Sequence, residues 1–446
     1  MAISKTRLGL AVLRQNFSDL HQPLTPIEAA AAAARCLYCY DAPCTRACPT
    51  HIDIPRFIRQ IHDHDPLGAA NTILDANVLG GSCARACPTE VLCEGACVES
   101  TLHKQPVLIG RLQRFACDAA DAAGIQFHGP AAATGRRVAI IGSGPAGLSC
   151  AYELRKLGHT THIFEASARP GGLNTHGIAG YKITTEYSLS EVHRVKSLGA
   201  KLFLKSPVGA KELQKLLRDY DAVFWAAGLG RTAPLNIPGE QTPGVWEALE
   251  FIAQTRTQRL SGCRIGRNVI VIGGGNTAID VANAAVRLGA ETVTIAYRRD
   301  AACMPAFRHE YDGALAAGVQ FAWWAMPRKV LASGGKVAGV RFVRAQLQRR
   351  GRTAKLTPIK GSEFTLAADM VVKALGQECR IDALRTLPGL KLTPDGHVVV
   401  DPQTLATDVP KLYAGGDCRS GAKEEIVYAV QDGKIAASAM HDAITR

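Results

Sequence analysis

Two stretches of this chain run through the same succession of apolar and polar positions. RRVAIIGSGPAGLSCAYELRKLGHTTHIFE begins with a short apolar run, breaks at glycines, continues with apolar residues every three or four positions and ends in a second short apolar run. That order predicts a buried strand, a tight turn, a helix packed on the strand and a second strand, a βαβ unit. About 130 residues later NVIVIGGGNTAIDVANAAVRLGAETVTIAYRR repeats it. Ahead of both copies, residues 1 to about 130 alternate helix-period stretches such as IEAAAAAARC and PRFIRQIHDH with polar breaks, and close in the small-residue linker GPAAATG. The pattern predicts a helical N-terminal block followed by two α/β units.

The turns carry the chemistry of both units. In the first copy Gly142, Ser143, Gly144, Pro145, Ala146 and Gly147 join strand to helix, where backbone N–H groups and the helix N-terminus can approach a pyrophosphate. Glu165 ends the second strand 18 residues past Gly147, placed to accept the hydroxyls of a ribose. A glycine triplet alone is weak, since many loops share it; the βαβ frame with its terminal acid is the stronger signal. The second copy has Gly273, Gly274, Gly275, Asn276, Thr277 and Ala278, with alanine in place of the third glycine, and its second strand ends in Arg298 and Arg299 instead of an acid. Those arginines either bind a 2′-phosphate or the adenine ribose, or form an exposed pair. FAD at the first turn and NADH or NADPH at the second is the division these strand ends imply.

Composition narrows the setting. With 446 residues and 47% hydrophobic content the chain can form two to four domains. No apolar run reaches the roughly 18 residues of a membrane helix, and the start, MAISKTRLGLAVLRQNFSDL, is amphipathic without a small-residue cleavage site, so a soluble, cytoplasmic protein without a membrane partner is expected. The net charge of +13 is spread along the chain, with only short clusters such as Arg349, Arg350 and Arg352, so nucleic acid is not the expected partner. Part of the positive balance offsets anionic cofactors; the alternative is a docking surface for an acidic partner.

Fourteen cysteines would suit a disulfide framework in a small secreted domain, but eight of them lie between Cys36 and Cys97 and nothing points to export. CLYCYDAPCTRACP sets Cys36, Cys39, Cys44 and Cys48 at C-x2-C-x4-C-x3-C spacing before Pro49, and CARACPTEVLCEGAC supplies Cys83, Cys87, Cys93 and Cys97. Soft thiolates at such spacing suit iron–sulfur clusters, or zinc in a ribbon. Redox-silent zinc would give two nucleotide sites no electron route, so two [4Fe–4S] clusters are the preferred reading. In two-cluster ferredoxins the cysteine before proline ligates the other cluster, which predicts that Cys48 crosses over. Cys117, Cys150, Cys263, Cys303, Cys379 and Cys418 lack this spacing and read as buried small hydrophobes.

From CLYCYDAPC through LYAGGDC to VQDGKIAA, the sequence resembles the flavin and iron–sulfur portion shared by dihydropyrimidine dehydrogenase and the small subunit of glutamate synthase, and most of all the separate bacterial NAD(P)H-oxidising subunit of the former. The resemblance implies an α-helical iron–sulfur domain followed by two Rossmann-like α/β nucleotide-binding domains, the FAD domain being interrupted by an inserted NAD(P) domain. In that frame residues 1–130 hold the clusters, 131–240 and 373–446 form the FAD domain, and 241–372 bind NAD(P)H. It implies that one cluster is held by Cys36, Cys39, Cys44 and Cys97 and the other by Cys48, Cys87, Cys93 and Gln113, leaving Cys83 outside both. It extends the FAD site to Gly171, Gly172 and Leu173 of PGGL, Lys182 of AGYKI, and Gly416 and Asp417 of LYAGGDC, with Glu425 near the isoalloxazine or simply part of a solvated pair with Glu424. Ala374, Leu375 and Gly376 join the nicotinamide site.

The activity so implied is hydride transfer from NAD(P)H to FAD, then single electrons through the clusters to a partner subunit bearing FMN, its own iron–sulfur clusters and the uracil or thymine site. No FMN-barrel segment and no further ferredoxin-like cysteine run follows residue 130 in this sequence. No side chain is nominated as an acid or base. The alternatives are a glutamate synthase small subunit and, from another class, a zinc scaffold that only binds nucleotides. Pro305 stands where the animal dihydropyrimidine enzyme has a further basic residue, as in the NADPH-linked glutamate synthase pattern, so NADH versus NADPH stays open with a lean to NADH.

Overall fold

A computed structural model describes residues 4–5, 8–350 and 353–446. Of the arginine cluster noted in the sequence, Arg352 and the side chains of Arg349 and Arg350 lie outside the described residues. The chain divides into two compact units: Leu20–Thr175, Lys182–Leu229 and Cys379–Arg446 form the larger, and Met1–Asp19, His176–Tyr181 and Gly230–Glu378 the smaller.

In the larger unit, the helices begin where the sequence supplies caps. Thr25 and Glu28 form a capping box around Pro26 at the start of Pro26–Ala33, and Asp53 and Asp65 accept backbone N–H groups at the starts of Ile54–His62 and Pro66–Ala76. Ile54, Phe57, Ile58 and Ile61 recur at helical spacing and are buried. The longer helix Ile109–Ala123 stops at Gly124, whose φ of +63° is left-handed. One core takes Phe57, Ile73, Leu112 and Cys117 from these helices, together with Val427 from the C-terminal helix Ile426–Thr445.

The same unit contains a five-stranded parallel sheet. Arg137–Ile141 is central, with Thr160–Phe164 and then Lys201–Phe203 on one side and Ala222–Trp225 and then Leu412–Ala414 on the other. Val138 to Ile141 are all buried, as a parallel strand covered on both faces requires. The last strand comes from beyond residue 378, and the C-terminal helix then packs along Pro145–Lys156. Glycine at 433 permits that approach, since a Cβ there would lie 2.4 Å from the Ala146 carbonyl oxygen. Lys434 Nζ also donates to the Ala76 carbonyl at 2.7 Å, tying the helix to the cysteine-bearing block.

The smaller unit has its own parallel sheet, in the order Gln320–Ala322, Thr292–Ala296, Asn268–Ile272, Met370–Lys373, Val245–Glu247. Beside it runs an antiparallel meander, Ala325–Ser333, Lys336–Arg350 and Thr353–Ala367, that the sequence reading did not anticipate. The unit's limits, Gly230 and Glu378, lie outside the expected 241 and 372, and Ala233 N donates to the Gly376 carbonyl at 3.0 Å between these flanks. Residues up to Asp19, expected with the helical block, also group here. Leu13 is buried in a core with Phe251 and Ile252, and Ser4–Lys5 pairs with Arg264–Ile265. Among the described residues no helix is long and apolar enough to cross a membrane.

Candidate functional site

At the first glycine turn Gly142 has φ +101°, and a Cβ on it would lie 2.3 Å from the Ala226 carbonyl oxygen, so only glycine fits this strand end. Gly144 caps the helix Pro145–Lys156, with Pro145 first and Ala146 and Gly147 buried behind it. Glu165 is buried and already held: Oε2 accepts from Ser143 N at 3.0 Å and Ser143 Oγ at 2.6 Å, and Oε1 accepts from Ser167 N at 2.7 Å. It braces the turn from the neighbouring strand as well as standing where a ribose would bind. Gly171 N donates to Ser143 Oγ at 3.1 Å, and a Cβ on Gly172 would come within 2.7 Å of Gly144 Cα. The PGG segment, with Leu173 opening the helix Leu173–His176, therefore closes against the turn.

From the far end of the sequence, Gly416 reaches the same place: a Cβ on it would lie 3.2 Å from that of Ala146. Gly416 N donates to Asp432 Oδ2 at 2.8 Å, and Arg419 grips both oxygens of Asp432 at 2.7 and 2.9 Å. Burial, reinforced by the charges of Glu424 and Asp432, pushes the neighbouring Asp417 carboxyl up to about 7. Glu425 caps the C-terminal helix, its Oε2 is buried without a hydrogen-bond partner, and burial raises its pKa. A glycine cradle, a held acid and an orphaned carboxylate oxygen fit a bound dinucleotide such as FAD. Lys182 is half-buried where the chain re-enters the larger unit. Sequence reasoning missed Ser167, Asp432 and Gly433 as supports of this site; the DG pair within VQDGKIAA was the available signal.

The second turn is built alike but covered less. Gly273 has φ +148°, and a Cβ there would meet the Ala374 carbonyl oxygen at 2.0 Å. Gly274 lies against the Tyr297 ring, and Gly275, the cap of Asn276–Arg287, has no other group within 4 Å of where its Cβ would be. Asn276 Oδ1 accepts from Phe307 N at 2.9 Å, which fixes the helix start, and Ala278 is fully buried behind Thr277. Arg298 is exposed and Arg299 half-buried at the strand end, while Leu375 and Gly376, after buried Ala374, are exposed. This open cradle fits a nicotinamide dinucleotide.

In the helical block, Cys36, Cys39, Cys44 and Cys97 line one cavity, walled by Ile54, Ile58, Val107 and Ile109. Burial raises the Cys36 thiol and pushes Cys44 up to about 11. Cys87 lies among Cys83, Cys93 and Cys48, and its thiol is raised chiefly by hydrogen bonding to Cys83 and by burial. Gln113 is buried and donates Nε2 to the Gly80 carbonyl at 2.6 Å. Among the described residues no three Cys, His, Asp or Glu side chains are set to hold one metal ion; the first four sulfurs ring a space instead of converging on a point. A ring of thiols in apolar walls fits a cluster, whose iron supplies the countercharge that thiolates need there. The helix Thr185–Ser197 joins this block to the flavin turn. Its Glu191 accepts from Ser82 N at 2.9 Å and from Ser82 Oγ, its Tyr187 ring lies 3.6 Å from the Arg85 guanidinium, and its Ser188 Oγ is 2.8 Å from Thr175 Oγ1 beneath Gly171.

Known proteins match the helical block and the remainder of the chain separately. Residues 13–125 match the family described as dihydropyrimidine dehydrogenase domain II, 4Fe-4S cluster, and residues 136–433 match pyridine nucleotide-disulphide oxidoreductase. The NAD-dependent dihydropyrimidine dehydrogenase subunit PreT of Salmonella typhimurium is 36% identical, covering 96% of this chain and 97% of that protein. The glutamate synthase [NADPH] small chain of Escherichia coli K12 is 33% identical, covering 96% and 94%. In fold alone, the thioredoxin reductase of T. acidophilum superposes with a TM-score of 0.54 at 22% identity, over 69% of this chain and 99% of its own. The chain thus belongs to the pyridine nucleotide-disulphide oxidoreductase family, as an FAD-dependent NAD(P)H oxidoreductase that carries a dihydropyrimidine dehydrogenase-type 4Fe–4S domain.

Proposed function

We propose that this protein is the NAD(P)H-oxidising, electron-input subunit of a dihydropyrimidine dehydrogenase. In this reading it has FAD at Gly142–Gly147, nicotinamide at Gly273–Ala278 and two [4Fe–4S] clusters in the helical block. The observation that carries the reading is the union of the cysteine block and the flavin turn in one compact unit, bridged by Thr185–Ser197. FAD, when bound, takes a hydride from the nicotinamide and releases electrons singly. The chain's own work is positional. Gly144 and Gly275 present helix N-termini to pyrophosphates, and Glu165 holds the first turn and the ribose. Gly171, Gly172, Leu173, Lys182, Gly416, Asp417 and Glu425 enclose the flavin, while Arg298, Arg299 and Ala374 to Gly376 receive the nicotinamide nucleotide. Cys36, Cys39, Cys44 and Cys97 hold one cluster, and Cys48, Cys87, Cys93 and Gln113 the other.

The acceptor is an FMN- and iron–sulfur-bearing subunit that reduces uracil or thymine, a reading that rests on the likeness to PreT. Co-purification with such a partner should give NAD(P)H-dependent uracil reduction that neither protein performs alone; a pure complex without that turnover would sink the assignment. The 33% identity to a glutamate synthase small chain supports a second reading, in which the acceptor is a large glutaminase-containing subunit. Glutamate formation in place of uracil reduction would select it. The likeness to the NAD-dependent subunit favours NADH, and the ratio of kcat/KM for NADH and NADPH tests that lean.

A further inference from the structure

In an open parallel sheet, ligands bind outside the carboxyl ends of the strands. Two strands of the smaller unit end side by side there, Thr292–Ala296 and Gln320–Ala322, with Ala296 opposite Ala322. Their pairing continues past both ends: Tyr297 N donates to the Ala322 carbonyl at 3.0 Å, and Trp324 N donates to the Arg299 carbonyl at 3.1 Å. The main chain of Trp324 is thereby pinned beside the two arginines that close the second βαβ unit. Ala345 N fixes it from the following strand by donating to its carbonyl at 2.8 Å.

The backbone at this point is unfavourable for the residue it carries. Trp324 has φ +57°, a left-handed conformation that glycine or asparagine adopts readily and a bulky residue does not. Packing does not account for the choice. Trp323, next to it, stacks on Phe321 with ring centroids 4.9 Å apart and stands edge-on to Tyr297, whose ring lies against Gly274 of the turn. Trp324 itself is half-buried, belongs to none of the hydrophobic cores, and among the described residues meets no other aromatic ring or cation. Strain of this kind persists where function uses it. A broad ring held at a basic strand end suits a flat base that carries phosphates, since bases stack on aromatic faces.

We propose that Trp324 is a binding residue of the second nucleotide site, the platform on which the adenine of NADH or NADPH stacks. This rests on the assignment of the nicotinamide nucleotide to Gly273–Ala278. The test uses the full-length holoprotein with Trp324→Gly and Trp324→Asn, which remove the ring and suit the backbone, and Trp324→Phe, which keeps an aromatic face. Calorimetry measures binding of ADP-ribose, which has the adenine and no nicotinamide. Turnover with ferricyanide as acceptor gives kcat/KM for NADH, NADPH and reduced nicotinamide mononucleotide, which lacks the adenine. ADP-ribose should bind about 10-fold more weakly in the Gly and Asn variants and recover toward wild type in the Phe variant. The fall in kcat/KM should be alike for NADH and NADPH, which share the adenine, and absent for the mononucleotide. Unchanged ADP-ribose binding in the Gly and Asn variants overturns the inference, as does an equal loss with the mononucleotide or no recovery with Phe. Gly275→Ala tells the two readings apart. If it alone weakens ADP-ribose binding, the site stands without this platform; if it too leaves binding unchanged, the assignment of the site falls as well.

Discussion

The two glycine turns come from near-copies of one sequence pattern, yet their surroundings differ. The first is enclosed: Gly172 lies on Gly144, Gly416 and the C-terminal helix close on Ala146, and three donors hold the Glu165 carboxylate. The second presents Gly275 to open space and ends its strand on an exposed Arg298. An enclosed cradle suits a resident group that never leaves during turnover, and an open one suits a nucleotide that must enter and depart every cycle. On the division proposed above, the same βαβ frame serves a cofactor or a substrate according to what the rest of the chain brings over it.

That contrast can be broken most severely at Gly142. An alanine there meets both the positive φ, worth about 1–2 kcal/mol, and the Ala226 carbonyl, so the protein should purify with little or no flavin absorbance. Next in size, Glu165→Ala removes the acceptor of three hydrogen bonds and should weaken flavin retention by roughly 10-fold or more, measured by flavin release on dilution. Gly275→Ala should leave flavin content and melting temperature unchanged, since nothing surrounds the added methyl, while KM for the nicotinamide rises by about 10-fold; loss of flavin in this variant would refute the division of sites.

A smaller effect belongs to Asp417, whose carboxyl is raised by burial to about 7 from an ordinary 3.8. As pH rises, the unfolded chain loses this proton first, so the contribution of Asp417 to stability is full below pH 3.8 and is lost by about pH 7. Flavin-free Asp417→Asn should therefore melt roughly 2–4 °C above the flavin-free wild type at pH 8 and gain nothing at pH 3.5. Smallest, Arg298→Ala on an exposed strand end should change the NADPH-to-NADH preference by only a few-fold.

The parts of the fold that were readable in sequence are those written within about 30 contiguous residues, the span of a βαβ unit. Both turns, with their caps at Gly144 and Gly275, fall in that class, as does the grouping of Cys36, Cys39 and Cys44. The meander was hidden because its alternation slips: the register of Lys336–Arg350 on Thr353–Ala367 shifts between Val343 and Ala345, which moves side chains to the opposite face. Leu13 gave no sign that it belongs with Phe251 and Ile252, because an amphipathic helix specifies a buried face without naming its partner. Ser167 and Asp432 escaped for another reason. They act on Glu165 and Gly416 through single hydrogen bonds, which leave no period in the sequence.

The glycine at 433, introduced above as a packing device, also sets a clock. Synthesis reaches Gly142 long before it reaches the strand Leu412–Ala414 and the helix Ile426–Thr445 that enclose that turn. At ~5–20 residues per second the wait is on the order of tens of seconds. Enclosure of the first turn is therefore a late event, completed only once the elements beyond residue 411 have been made.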